Sequence, residues 1–253
     1  MTKKEKIVLS ILCIIIAFMV LSGLPAVLLK ITFADVDPFI IPLIINFLII
    51  GVVAVAAIKI FDISYKFGFT FNGLSTGFKK YGVAGLLACV LSFVAFFVGL
   101  FPFDYTPSIY KILIEGVIYY IGVAFVEEFF VRGLFLNLIE NFAQKSQNKT
   151  EIAIITSALV FGLGHVPGTI SLGLGVAIFK FVMTTGMGLY FGAIYKKTHN
   201  LLFSIILHFL IDICALPYCF TQHMRYENIS IVILTITYIA LGVYVGVLIR
   251  LEK

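Results

Sequence analysis

The sequence predicts an all-α fold, a polytopic bundle of about eight membrane-spanning helices, from three observations. Apolar residues make up 61% of the 253 residues and charged residues only 12%, where a water-soluble domain uses about 25% to cover its surface. Mean hydropathy is +1.13, and the apolar residues come in runs close to the 20 helical residues, roughly, that cross a bilayer core. The lysines and arginines between those runs crowd into alternate loops, the pattern of a chain that threads a membrane repeatedly.

Eight runs qualify in order: Ile7–Leu29, Phe39–Ile58, Gly82–Leu100, Ile112–Ile139, Ile152–Gly164, Leu174–Tyr195, Leu201–Phe220 and Ile229–Ile249. The first is too long for the apolar region of a secretory signal and is followed by Lys30 rather than a small-residue cleavage site, so it reads as a spanning helix. The fourth is long enough to be either one tilted helix or two pieces. The fifth is short and runs into His165-Val166-Pro167-Gly168, which predicts a broken or re-entrant end. The segment Lys59–Lys80 interleaves Phe61, Tyr65, Phe67, Phe69 and Phe71 with polar residues. It reads either as an interfacial amphipathic helix or as an ordinary loop.

With the N-terminus inside, the inner segments hold Lys3, Lys4, Lys6, Lys59, Lys66, Lys79, Lys80, Lys145, Lys149, Lys196, Lys197, Arg250 and Lys253. The outer ones hold only Lys30, Lys111 and Arg225. This asymmetry predicts a multi-pass protein of the plasma membrane with both termini in the cytoplasm and an even number of spans. It also accounts for the net charge of +5 without a nucleic-acid partner. Cys13, Cys89, Cys214 and Cys219 lie in apolar runs without a CxxC, as small hydrophobes do. No repeat or linker divides the chain, so residues 1–253 read as a single transmembrane domain whose motif-bearing core covers about 112–220.

Few strongly polar residues interrupt the apolar runs, and they gather at three places. On the fourth run, Glu127 and Glu128 precede Arg132. Ionised groups at bilayer depth cost about 3 kcal/mol each on insertion scales and are kept where they face water or one another. Glu128 and Arg132 are four residues apart and share a helix face, the spacing of an ion pair. Glu127 points about 100° away and remains the free carboxylate, a candidate general base. On the fifth run stand Phe161 and His165, with Gly162 and Gly164 allowing a neighbouring helix to approach. On the seventh, His208 and Asp212 share a face, and an aspartate there can orient the histidine. Each pattern alone has a plain structural reading, as a packed histidine or an ion-pair staple. Together, on three helices, they read as a hydrolytic site. HExxH and a pair of intramembrane aspartates are absent from the sequence. Lys180, on the sixth run, reads as snorkelling or pairing with a carboxylate.

In this order, Glu127-Glu128-x-x-x-Arg132, Phe161-x-x-x-His165 and His208-x-x-x-Asp212 resemble the CAAX-processing endopeptidase and bacteriocin-processing family, also called the Abi family, over about residues 112–220. The resemblance implies an intramembrane endopeptidase of about eight helices. In it Glu127 activates a water with help from His165, Glu128 supports the site, and His208 with its partner at 212 holds the oxyanion. Arg132 and Phe161 are supporting residues. Enzymes of this family are often labelled metalloproteases, yet the glutamate and histidines are argued to work without metal. No cofactor is the favoured reading, and zinc on Glu127, His165 and His208 is the alternative. One departure matters. Where an Asn partner at the last position would donate to an oxyanion, Asp212 as a carboxylate accepts but cannot donate. Orienting His208, or binding a metal, suits it better.

The expected function is therefore hydrolysis of peptide bonds in small peptides or membrane-associated proteins, in peptide maturation or bacteriocin self-immunity. The rival is a non-catalytic scaffold or immunity protein that binds a sensor kinase or toxin. Expected partners are the bilayer, a peptide or membrane-protein substrate, and a sensor kinase or peptide-export protein. A proton-coupled transporter is disfavoured by the lack of an inverted repeat with paired broken helices.

Overall fold

A computed structural model of the chain describes residues 5, 8, 33–60, 68–222 and 227–250. Apart from Val8, the expected span Ile7–Leu29 lies outside the described residues. Seven long helices follow: α1 (Ile40–Ile60), α2 (Leu74–Gly99), α3 (Ile109–Phe142), α4 (Lys149–Gly164), α5 (Leu174–Thr198), α6 (Leu201–Phe220) and α7 (Asn228–Arg250). No strand occurs among the described residues. In lipid a backbone must satisfy its own polar groups, and a helix does so within one segment. Six of the seven are long and apolar enough to cross a membrane. The exception is α4, whose 16 residues reach only about 24 Å. It stops where Pro167 and Gly168 forbid its continuation, and a short 3-10 turn at Ile170–Leu172 leads into α5.

The long fourth run is one continuous helix, α3. It opens at Ser108, whose hydroxyl accepts from the backbone N–H of Lys111 at 3.2 Å, as an N-cap residue does. Two π-helical stretches interrupt its α-geometry, Ile114–Ile118 and Phe129–Leu136. The second follows directly on Glu128 and carries Arg132. Asn137 stabilises it, its side-chain amide donating to the carbonyls of Arg132 at 3.1 Å and Gly133 at 2.9 Å and approaching the Tyr195 hydroxyl at 2.9 Å.

Helix α5 stands at the centre of the bundle, against α4, α7, α6 and α3; α2 packs on α7 and α6, and α1 on α3. Small residues permit the close crossings. A Cβ at Gly186 of α5 would come 2.2 Å from the backbone carbonyl oxygen of Tyr238 on α7. Hydroxyls staple the neighbours: Ser92 to Tyr238 at 3.0 Å and Ser230 to the Ala95 carbonyl at 2.8 Å, both joining α2 to α7. Toward the other end, Glu140 of α3 accepts from Lys196 of α5 at 2.8 Å and Thr150 of α4 at 2.9 Å.

Two loops are tied down. Residues 68–73 dock on the start of α6: Asn200 caps α6 by accepting from Leu202 N at 3.1 Å and donates to the Thr70 carbonyl at 2.8 Å. Phe69 packs on Phe125 and Phe129 of α3, and α2 already begins at Leu74. Of the segment Lys59–Lys80, the described part is thus the end of α1, a docked loop and the start of α2. Residues 61–67 lie outside the described residues. At the opposite end of α3, Asp35 accepts from the backbone N–H and hydroxyl of Ser108 and from Tyr105. The Ser108 bonds hold its carboxyl below the ordinary value.

Candidate active site

The three motifs meet where α3, α4 and α6 face one another, with α5 behind them. Glu127, Glu128 and Arg132 come from α3, Phe161 from α4, His165 from the turn that ends α4, and His208 and Asp212 from α6. Their side chains form two layers that differ in access.

The inner layer is closed. Glu128, Arg132 and His208 have side chains that are 0%, 0% and 1% exposed. One oxygen of Glu128 accepts from Arg132 Nη1 at 2.7 Å and from His208 Nδ1 at 2.8 Å. Arg132 Nη2 donates to the Gly188 carbonyl of α5 at 3.3 Å. Its guanidinium lies over the rings of Phe161 and Phe191, 4.8 and 5.3 Å from their centroids, where a cation gains from the ring faces. Phe191 also stacks on the His208 imidazole, centroids 4.9 Å apart. Because a carboxylate only accepts, Nδ1 of His208 carries a proton, and Nε2 is turned outward. The ion pair expected between Glu128 and Arg132 is present. The hydrogen bond that sets the tautomer of His208 comes from Glu128 and not, as its spacing suggested, from Asp212.

The outer layer is open. Glu127 and His165 keep 24% and 23% of their side-chain surface, and Asp212 keeps 18%. Glu127 lies between two imidazoles, Oε1 3.6 Å from His165 Nε2 and Oε2 3.7 Å from His208 Nε2. These separations exceed direct hydrogen bonds and are those of groups that share a third polar molecule. The other nitrogen of His165 meets the Phe161 carbonyl at 2.8 Å. A carbonyl accepts, so that proton is on Nδ1, and Nε2 offers Glu127 a lone pair. Asp212 approaches His208 Nε2 at 3.3 Å without hydrogen-bond geometry. Its Oδ2, Glu128 Oε2 and Arg132 Nε lack hydrogen-bond partners among the described residues.

Every site residue expected from sequence is therefore in one cluster. The sequence reading missed Gly188, Phe191 and Asn137, which hold Arg132 or its helix in place. Asn137 carried a signal, a polar residue five positions beyond a buried arginine. Gly188 contributes through its backbone, which no side-chain pattern displays. Zinc on Glu127, His165 and His208 stays the alternative to a metal-free site, although among the described residues no group of three His, Cys, Asp or Glu side chains is placed to hold a metal ion.

The family described as type II CAAX prenyl endopeptidase, Rce1-like, has a model that matches residues 109–214, a stretch containing Glu127, Glu128, Arg132, Phe161, His165, His208 and Asp212. The resemblance noted from the motifs is borne out over that stretch, and it supports a membrane endopeptidase of the CAAX type. No curated protein and no solved structure matches the chain.

Proposed function

We propose that the protein hydrolyses peptide bonds with a water held between Glu127 and His165. The observation that carries this reading is Glu127 itself, a partly open carboxylate whose two oxygens stand 3.6 and 3.7 Å from two imidazole Nε2 atoms. Glu127 and His165 Nε2 both accept, so a water between them donates both hydrogens and turns an oxygen lone pair toward the substrate. Glu127 takes one proton as the water oxygen bonds the scissile carbonyl carbon and the carbonyl electrons move to oxygen. When the tetrahedral species collapses, the C–N bond breaks and Glu127 delivers that proton to the leaving amine. Glu128 holds His208 and is itself held by Arg132, so the inner layer fixes the geometry of the outer one. This reading needs no metal ion.

The substrate class follows from the setting: small secreted peptides, leader peptides or membrane proteins, reached from a site inside the bundle. Peptide maturation or bacteriocin self-immunity in the plasma membrane, with both termini cytoplasmic, fits such a catalyst, as does a peptide-export partner. The rival scaffold reading, with a sensor kinase or toxin as partner, draws on the closed inner layer, which would equally serve packing.

Wild type, Glu127→Gln and His165→Ala separate the two at equal membrane abundance, in a native host assayed for phenotype and for uncleaved peptides by mass spectrometry. Glu127→Gln is expected to lower the turnover of accumulating precursors by about 10²–10⁴-fold with an unchanged melting temperature. Purified enzyme is expected to keep its rate in 1,10-phenanthroline. Full function in both variants would assign the cluster to packing, and loss of activity in chelator would favour the zinc alternative.

A further inference from the structure

Hydrolysis also requires donors for the oxyanion, and the motif residues supply few of them. This point rests on the hydrolytic reading above. Most nitrogen donors around Glu127 are already engaged: His165 Nδ1 with the Phe161 carbonyl, His208 Nδ1 with Glu128, and Arg132 with Glu128 and the Gly188 carbonyl, while His208 Nε2 faces Glu127 and Asp212. Arg132 Nε lacks a partner, but that side chain is wholly enclosed. Asp212, where an asparagine would bring an N–H, offers only acceptor oxygens.

Lys180, on α5, is a further cation among the described residues. The antiparallel contact between α4 and α5 sets its height. A Cβ at Gly162 would meet Phe181 and Thr185, Gly188 faces Ala158, and Gly192 faces Ile154. Carried one turn toward the C-terminal end of α4, the same register places Lys180 level with His165. Lys180 is half-buried. Among the described residues it has no ion-pair partner, since neither Glu127 nor Asp212 is within bonding distance of it.

We infer that Lys180 is a further catalytic residue, whose ammonium donates to the substrate carbonyl oxygen as negative charge develops there, in the role an amide would fill at position 212. Lys180 takes no part in the proton transfer through Glu127, and its contribution is electrostatic, aimed at the transition state.

The test is steady-state kinetics of the full chain in liposomes on a pooled library of internally quenched peptides. Wild type, Glu127→Gln, Lys180→Met, Lys180→Arg, Thr185→Val and the double variant Lys180→Met/Asp212→Asn are compared at matched reconstituted amounts. Lys180→Met is expected to lower kcat by about 10²-fold with KM nearly unchanged, the signature of an interaction made only in the transition state. Lys180→Arg keeps most of the rate. Adding Asp212→Asn to Lys180→Met restores roughly ten-fold, because an amide donor returns. Thr185, whose buried hydroxyl also lacks a partner, tolerates valine.

Lys180→Met within about three-fold of wild type, with Glu127→Gln inactive, overturns the assignment and leaves the hydrolytic reading standing. So does a Lys180→Met loss that Asp212→Asn fails to relieve, or a loss confined to Thr185→Val. Wild type no faster than Glu127→Gln overturns the hydrolytic reading itself.

Discussion

Glu127 and Glu128 are adjacent in sequence and opposite in circumstance. Glu128 is closed off and shared between Arg132 and His208, whereas Glu127 is open to whatever enters between the two imidazoles. A helix turn of about 100° separates them, and that rotation assigns one carboxylate to architecture and the other to reactivity. The buried pair has a mechanical consequence. Arg132→Ala removes the partner of an enclosed carboxylate and is expected to destabilise the protein by about 3–5 kcal/mol, read as a fall in melting temperature in detergent. Replacing both charges together, Glu128→Gln with Arg132→Met, should cost less than Arg132→Ala alone, since no uncompensated charge stays behind. Equal melting temperatures for wild type and Arg132→Ala would show that the pair is not holding the bundle.

At the scale of elements, α3 and α5 carry the design. The π-helical stretch Phe129–Leu136 follows the two glutamates directly and is tied off by Asn137, in line with the tendency of such stretches to occur at functional sites. Helix α5 backs the site through Gly188 and Phe191 and crosses α7 so closely at Gly186 that a methyl group would collide with backbone. Gly186→Ala is therefore expected to cost about 1–3 kcal/mol through forced separation of α5 and α7. Gly246→Ala on α7, with nothing within 4 Å of the added carbon, serves as the neutral comparison. Thermal unfolding followed by helix signal distinguishes them, and matching curves would refute the crowding argument.

For the whole molecule the bundle has a direction. The alternation of lysine and arginine between loops predicts cytoplasmic termini, and Lys196, Glu140 and Thr150 gather at the end of the bundle assigned to that side. In a cysteine-free background, Thr2→Cys and Glu252→Cys are expected to react with an impermeant maleimide only from the inside. Thr106→Cys, in the loop before α3, is expected to react from the outside. The reverse pattern would invert the orientation and, with it, the side from which a peptide reaches Glu127.

Composition and the lengths of the apolar runs were enough to determine an all-helical membrane bundle, because lipid leaves a spanning backbone few alternatives. Helix boundaries followed within a few residues, including the end of α4 at Gly164 just before Pro167 and Gly168, except where α2 extended back to Leu74. Spacing along single helices also displayed the Glu128–Arg132 pair, since i,i+4 neighbours meet whatever surrounds them. What only the tertiary structure decided lies between helices. Glu128 rather than Asp212 engages His208 Nδ1, Gly188 and Phe191 close around Arg132, and Gly162 of α4 meets Phe181 and Thr185 of α5. These depend on the rotation and register of packed helices, which small residues such as Gly162 and Gly186 set at contact distance, and a one-dimensional pattern does not record which faces will touch.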